Sequence, residues 1–181
     1  MPPLELHDVI AIVVYAIVDS FSILANVFLI FAIALRSPKS QKSYSVLLLF
    51  SVVFDLVSSL SSIFIMMRLM PAGYVLAYVY LGPCQYISGF SCHVFYCAML
   101  HTYAQSLYLI ALSFAFRLYI LKKPAPSRLA TTLVCFLFYI PNCFMMISFL
   151  FTLDPEDEVR ATLRVVRPSY ELDEFLVAGS S

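Results

Sequence analysis

Leu81–Pro124 reads LGPCQYISGFSCHVFYCAMLHTYAQSLYLIALSFAFRLYILKKP, and its charge pattern decides the fold. About 32 residues, Gln85 to Phe116, pass without an Asp, Glu, Lys or Arg, and the run then meets Arg117, Lys122 and Lys123. Roughly 20 apolar residues suffice to cross a bilayer, and a positive cluster marks where a span leaves it. The stretch therefore predicts a membrane helix carrying a polar stripe, the third of four, with the other three packed around it.

Composition places the whole chain in the same setting. Of 181 residues, 62% are hydrophobic and 12% charged, and the mean hydropathy is +0.91. Soluble domains run near 45–50% apolar and about 25% charged. The net charge is zero, but the signs are segregated along the chain. No face gathers enough Lys and Arg for counterion release to drive nucleic-acid binding, so nucleic acid is not an expected partner. There is no HExxH, no GxSxG and no glycine-rich phosphate loop, so no enzymatic activity and no cofactor are expected.

Ahead of the central stretch lie two further spans. Residues 1–8 carry Glu5 and Asp8 and form a short N-terminal segment. The apolar run that follows, about 9–35, is too long for the core of a cleaved signal and reads as helix one. Asp19, Ser22 and Asn26 share one of its faces. Arg36, Lys39 and Lys42 make a tight basic loop around Ser37-Pro38, and helix two covers about 44–67 with Ser51, Asp55, Ser58 and Ser62 on one stripe. Both stripes are expected to face the bundle interior, since hydrocarbon does not tolerate them. Residues 68–83 read as a loop with a Pro-Ala-Gly turn and interfacial tyrosines.

Helix three is placed at about 85–121. The turn Lys122-Lys123-Pro124-Ala125-Pro126-Ser127-Arg128 cannot continue as helix, and helix four covers about 129–153, with a kink expected at Pro141. Residues 154–181 hold seven acids against three arginines and read as an acidic aqueous segment beginning with a short exposed helix. The short loops carry seven basic residues on one side (Arg36, Lys39, Lys42, Arg117, Lys122, Lys123, Arg128) and one on the other, Arg68. The positive-inside rule then puts both termini outside. The fold class is an all-α membrane protein with four transmembrane helices.

Several constellations could carry function. Asn26 and Asp55 both lie about 14–17 Å from the cytoplasmic face at about 1.5 Å rise per residue, so they can meet at one depth. Asp55 is expected to be protonated and hydrogen-bonded, to share a water- or cation-filled pocket with Asn26, or to relay protons. Asp19 either touches interfacial water or lines a ligand cavity. His93, Cys97 and His101 follow i, i+4, i+8 spacing, with Gln105 one turn on. One helix rarely closes a coordination shell, so no metal site is expected; a cavity wall or interhelical hydrogen bonds remain. Arg117 is either a snorkelling charge or a contact for an intracellular partner. Of the five cysteines, most read as buried thiols. Cys84 and Cys92 lie where a disulfide could survive, but on one helix eight residues would hold them about 12 Å apart, too far to bond to each other.

These residues resemble the nematode chemosensory G-protein-coupled receptors of serpentine receptor class delta (Srd), within the Str group. The resemblance rests on Ser37-Pro38-Lys39-Ser40, on Gly82-Pro83-Cys84 with Cys92 eight residues later, and on the exit Ser113-Phe114-Ala115-Phe116-Arg117-Leu118-Tyr119. It spans about 9–177. It implies that the four helices are the first four of a seven-helix bundle, and that Arg117 stands where rhodopsin-like receptors keep their switch arginine. It also implies that Asn26 and Asp55 are their helix-one and helix-two polar pair. Phe116 occupies the place of the acid that usually precedes that arginine. Cys84 is the candidate for a disulfide, and Asp19, His93, Cys97 and His101 are the candidates for a small-molecule odorant pocket. A heterotrimeric G protein is an expected partner only of a full-length form, in the plasma membrane of sensory-neuron cilia. The chain stops before helix five and is expected to be an N-terminal fragment that does not signal alone. The alternatives are a self-sufficient four-helix membrane protein, such as a small transporter or a tetraspanin-like organiser, or a truncated partner of intact receptors. The short, cysteine-free connection between helices three and four speaks against the tetraspanin form.

Overall fold

Four helices long and apolar enough to cross a membrane dominate the computed structural model, which describes residues 6–36, 42–72, 75–152, 156–166 and 176–180. They are α1 (Leu6–Arg36), α2 (Lys42–Ile65), α3 (Gly89–Lys122) and α4 (Arg128–Leu150). Large apolar side chains such as Phe21, Phe28, Leu107, Leu137 and Phe144 point outward, as a lipid-facing surface requires. The molecule is an all-α membrane protein in its spanning part, with a small extramembranous sheet at one end.

Helix ends follow local chemistry. The Ser88 side chain caps α3 by accepting from the Ser91 amide at 3.1 Å, and Ser127 caps α4 by accepting from Ala130 N at 3.2 Å. Pro124 follows the last turn of α3, where Lys123 N reaches Tyr119 O at 2.9 Å. α4 runs through Pro141 as one element.

The sequence puts α3 at the centre, but the structure makes α2 the hub: it packs against α1, α3 and α4, whereas α3 packs against α2 and α4. The reason lies in side-chain size. Ser58, Ser59, Ser61 and Ser62 are all buried on α2, and such small residues let helices approach closely on more than one side.

The expected loop over 68–83 is a β-hairpin instead. β1 (Met67–Ala72) pairs antiparallel with β2 (Val75–Tyr80), in the register Met67↔Tyr80 to Ala72↔Val75. β3 (Leu176–Ser180), from the acidic segment, adds antiparallel to β2, giving the order β1-β2-β3. The chain enters the hairpin through Met66, whose φ of 37° turns it sharply out of α2. It returns as Leu81 N and Gly82 N bond to the Met66 and Ile65 carbonyls at 3.2 and 3.0 Å, closing the last turn of α2. Gly82 is required there, because a Cβ would collide with Phe64 O and lie 2.6 Å from the Ile65 carbonyl carbon.

The sheet is a roof with two covered faces. Met67, Tyr78, Tyr80 and Ala178 pack downward on Ile65, Cys84, Cys92, Tyr96 and Met99. Met70, Ala77, Val79 and Val177 pack on the other side against Val159 and Leu163 of α5 (Glu156–Val166), with Ala11 and Ile12 of α1 alongside. The short helix expected to be exposed therefore buries one apolar side. Asp8, fully buried, pairs with Arg68 and ties the start of α1 to β1. Tyr15 Oη donates to Met67 O at 3.0 Å and adds a second tie.

Cys84 and Cys92 are disulfide-bonded, with Cα atoms 5.2 Å apart. The 12 Å separation assumed one continuous helix. Instead Pro83–Tyr86 form a 3₁₀ turn, and the backbone reverses through Ile87 and Ser88 before α3 begins at Gly89. Cys97, Cys135 and Cys143 are free thiols, the first two buried. Ser37, Pro38, Lys39 and Ser40, together with Asp154 and the acids at 171–174, lie outside the described residues.

Candidate functional site

Polar side chains inside the bundle gather at three levels. Beneath the roof and running down the α3–α4 interface is the histidine stripe. His93 Nε2 lies 3.2 Å from Phe149 O, and the Cys97 thiol lies 3.5 Å from the same nitrogen. One turn lower, His101 Nδ1 meets Asn142 O at 3.1 Å, while Asn142 Nδ2 donates to His101 O at 2.9 Å and to Gln105 Oε1 at 3.1 Å. This reciprocal clamp sits directly after Pro141, where the missing amide leaves α4 one hydrogen bond short. His93, His101 and Gln105 are buried, and one nitrogen of each (Nδ1, Nε2 and Nε2) has no partner among the described residues. A cavity of about 140 Å³ opens between the helices, lined by Cys97, His101, Tyr108, Asn142, Met145 and Phe149. Tyr80 reaches toward this level from the roof, and burial, helped by Cys97 and Tyr78, pushes its phenol pKa up.

At mid-depth a chain of hydroxyls joins three helices. Asn26 Nδ2 donates to Ser22 O at 3.0 Å, the Ser59 hydroxyl donates to Ser22 Oγ at 2.7 Å and lies 3.0 Å from Asp55 O, and Ser106 donates to Asp55 Oδ1 at 2.7 Å. Asn26 and Asp55 are thus linked through Ser22 and Ser59, and among the described residues no hydrogen bond runs directly between them. The Asp55 carboxylate turns to α3 instead. Asp19 is buried between α1 and α2 with the Ser62 hydroxyl beside it, and its Oδ2 has no partner among the described residues. It stands on the α1–α2 interface, away from the His93 stripe between α3 and α4, so these four residues do not share one wall here.

At the opposite end from the sheet, Arg117 is gripped by a phenol. Its Nη2 donates to Tyr44 Oη at 2.6 Å and its Nε at 3.2 Å, with the guanidinium carbon 5.4 Å from the ring centroid. Ser113 Oγ lies 3.1 Å from the same phenol oxygen, and Phe116 packs its ring 5.6 Å from the Tyr44 ring. The position where an acid is expected is therefore a buried aromatic that props the tyrosine, and the tyrosine supplies the acceptor.

Sequence reasoning missed Asn142, Ser106 and Tyr44. An amide beside a proline in an apolar helix was the available signal for the first. The other two show only when helix depths are compared.

The pattern of the family described as serpentine type 7TM GPCR chemoreceptor Srd fits residues 11–181. Similar Caenorhabditis elegans proteins include serpentine receptor class delta-1, 27% identical over 163 residues, covering 90% of this chain and 44% of that protein. Serpentine receptor class delta-3 is 30% identical, covering 90% and 47%. Serpentine receptor class delta-18 is 33% identical over 150 residues, covering 82% and 44%. The chain thus spans less than half the length of these curated relatives. No solved structure matches. The four-helix arrangement and the family match agree, and the chain belongs to the serpentine type 7TM GPCR chemoreceptor Srd family.

Proposed function

We propose that these helices are the first four of a chemosensory G-protein-coupled receptor that lies in the plasma membrane of a sensory cilium with its N-terminus outside. The observation that carries this reading is the Tyr44–Arg117 grip, set at the end where the basic turns cluster. A guanidinium that is exposed yet tethered by a neutral acceptor is suited to change partners, and Arg117 in this role meets the G protein once α2 and α3 move apart. The sheet roof then faces the exterior. An odorant contacts the polar lining beneath it, with His93, His101 and Asn142 offering donors and acceptors. Asp19 contributes from the α1–α2 side. G-protein engagement belongs to a receptor of the relatives' full length.

The test uses such a full-length receptor carrying this segment, expressed in cells with a G-protein-dependent reporter. Arg117→Ala is expected to abolish the ligand response while surface staining of an N-terminal tag stays unchanged. Tyr44→Phe, which keeps the ring and removes the acceptor, is expected to raise signalling without ligand. An unchanged response in Arg117→Ala counts against the role of that arginine. An N-terminal tag reached only after permeabilisation overturns the orientation.

A further inference from the structure

Where α2, α3 and α4 end together, a cavity of about 340 Å³ opens at the basic side of the bundle. Leu47, Leu112, Phe116, Tyr119, Ala130 and Val134 line it. The Thr131 hydroxyl is already spent on Ser127 O at 3.2 Å, so apart from the Tyr119 phenol the lining side chains are apolar. The rim is different. Lys123 holds its ammonium 5.8 Å from the centroid of the Tyr119 ring, which lines the cavity, and Lys122 and Arg128 stand exposed on either side of the Pro124–Pro126 turn. No Asp or Glu occurs anywhere between Asp55 and Asp154, so no nearby stretch of the chain supplies a carboxylate to neutralise this rim.

An apolar slot with Lys123 at its rim and Lys122 and Arg128 exposed beside it, at the level where three membrane spans terminate, matches one chemistry: acyl chain below, anionic headgroup above. The geometry points to a binding site for an anionic phospholipid, its chain lying among Leu47, Phe116, Tyr119 and Val134 and its phosphate on Lys122, Lys123 and Arg128. The assignment is independent of signalling and of which way the chain is inserted. Charge complementarity selects this occupant over a zwitterionic lipid or a sterol, neither of which balances the rim. Lysines and arginines that merely snorkel would attract anionic lipid all around this end of the bundle. The slot restricts the preference to one place.

The chain contains no tryptophan, so a single introduced indole reports its own surroundings. Val134→Trp puts the probe in the slot, and Leu129→Trp puts it outside, on the exposed side of the same helix end. Each full chain is reconstituted in phosphatidylcholine vesicles containing increasing fractions of brominated-chain phosphatidylglycerol or brominated-chain phosphatidylcholine. For Val134→Trp, half-maximal quenching is expected at a roughly fivefold lower fraction of the anionic lipid, the factor that about one basic contact near a membrane surface supplies. The ratio is expected to fall to about one when Lys122, Lys123 and Arg128 are all changed to Gln, and to stay near one for Leu129→Trp throughout. Native mass spectrometry of the chain with Val134 intact supplies a measurement that no slot substitution can disturb. It is expected to retain phosphatidylglycerol over phosphatidylcholine by a similar factor, and to lose that preference in the triple Gln variant. Equal ratios at the two probe positions, a preference surviving the triple substitution, or a slot probe quenched by neither lipid would each overturn the site.

Discussion

Replacing Asn142 with Leu tests whether the polar stripe holds α3 to α4. The substitution keeps a side chain of similar reach and removes an amide that donates to His101 O and Gln105 Oε1. Interhelical hydrogen bonds inside membranes average about 0.6 kcal/mol and reach about 1.7, so two of them contribute roughly 1–3 kcal/mol. The change also strands the Gln105 carbonyl oxygen. That side chain is fully buried, and an unpaired acceptor in such a place costs about 1–3 kcal/mol more. The expected total is about 2–6 kcal/mol. Gln105→Leu introduced alongside removes the stranded group, so the double variant is expected to be more stable than Asn142→Leu by at least about 1 kcal/mol. The assay is equilibrium unfolding in mixed micelles, read by alkylation of Cys97 and Cys135, which are buried in the folded bundle. If the double variant loses the sum of the two single losses, the residues are uncoupled and the clamp has no energetic meaning.

Three further outcomes follow from the roof and its ties. Gly82→Ala is expected to destabilise by about 1–3 kcal/mol, the range for overpacking, because its Cβ meets backbone of α2 that cannot rotate away; protease cutting in the hairpin would reveal it, and wild-type resistance would refute it. Replacing Cys84 and Cys92 together by Ser removes a cross-link of sequence separation 8. Loop entropy puts the loss at roughly 2–3 kcal/mol, and alkylation of Cys84 without reductant would show that the bond is absent. Asp8→Asn leaves Arg68 against a neutral partner, with an expected loss of about 1–3 kcal/mol, kept below the fully buried range because Arg68 is partly exposed. Its signature is early release of the α1 N-terminus in hydrogen exchange, and unaltered exchange would contradict the tie.

The spans were legible because length and the absence of charge suffice for a bilayer helix, whatever packs beside it. Val75–Tyr80 was not legible as a strand. Period-two alternation appears only when one face meets water, and here α5 covers one face and the bundle covers the other. The disulfide was hidden by a local break: Ser88 caps a new helix four residues after Cys84, and spacing rules for a single helix then mislead. For the site, Arg117 stood out as a charge ending an apolar run, while Tyr44 did not, since an aromatic at a helix end looks interfacial. Among the described residues Asn26 and Asp55 are joined only through Ser22 and Ser59, and helix depth alone cannot say which neighbour a side chain turns toward. The Ser106 hydroxyl of α3 meets Asp55 at 2.7 Å, while the amide of Asn26 bonds within α1 to Ser22 O.

The grip on Arg117 has a consequence for the role proposed for it. The acceptor is a single phenol oxygen on a rigid ring of the neighbouring helix, 2.6 Å from the guanidinium, and Phe116 packs against that ring. A latch of this kind is set by how the two helix ends stand to one another. In the proposed role it opens by mechanical parting of those ends, or by surrender of the guanidinium to a better acceptor, and is therefore read by shape.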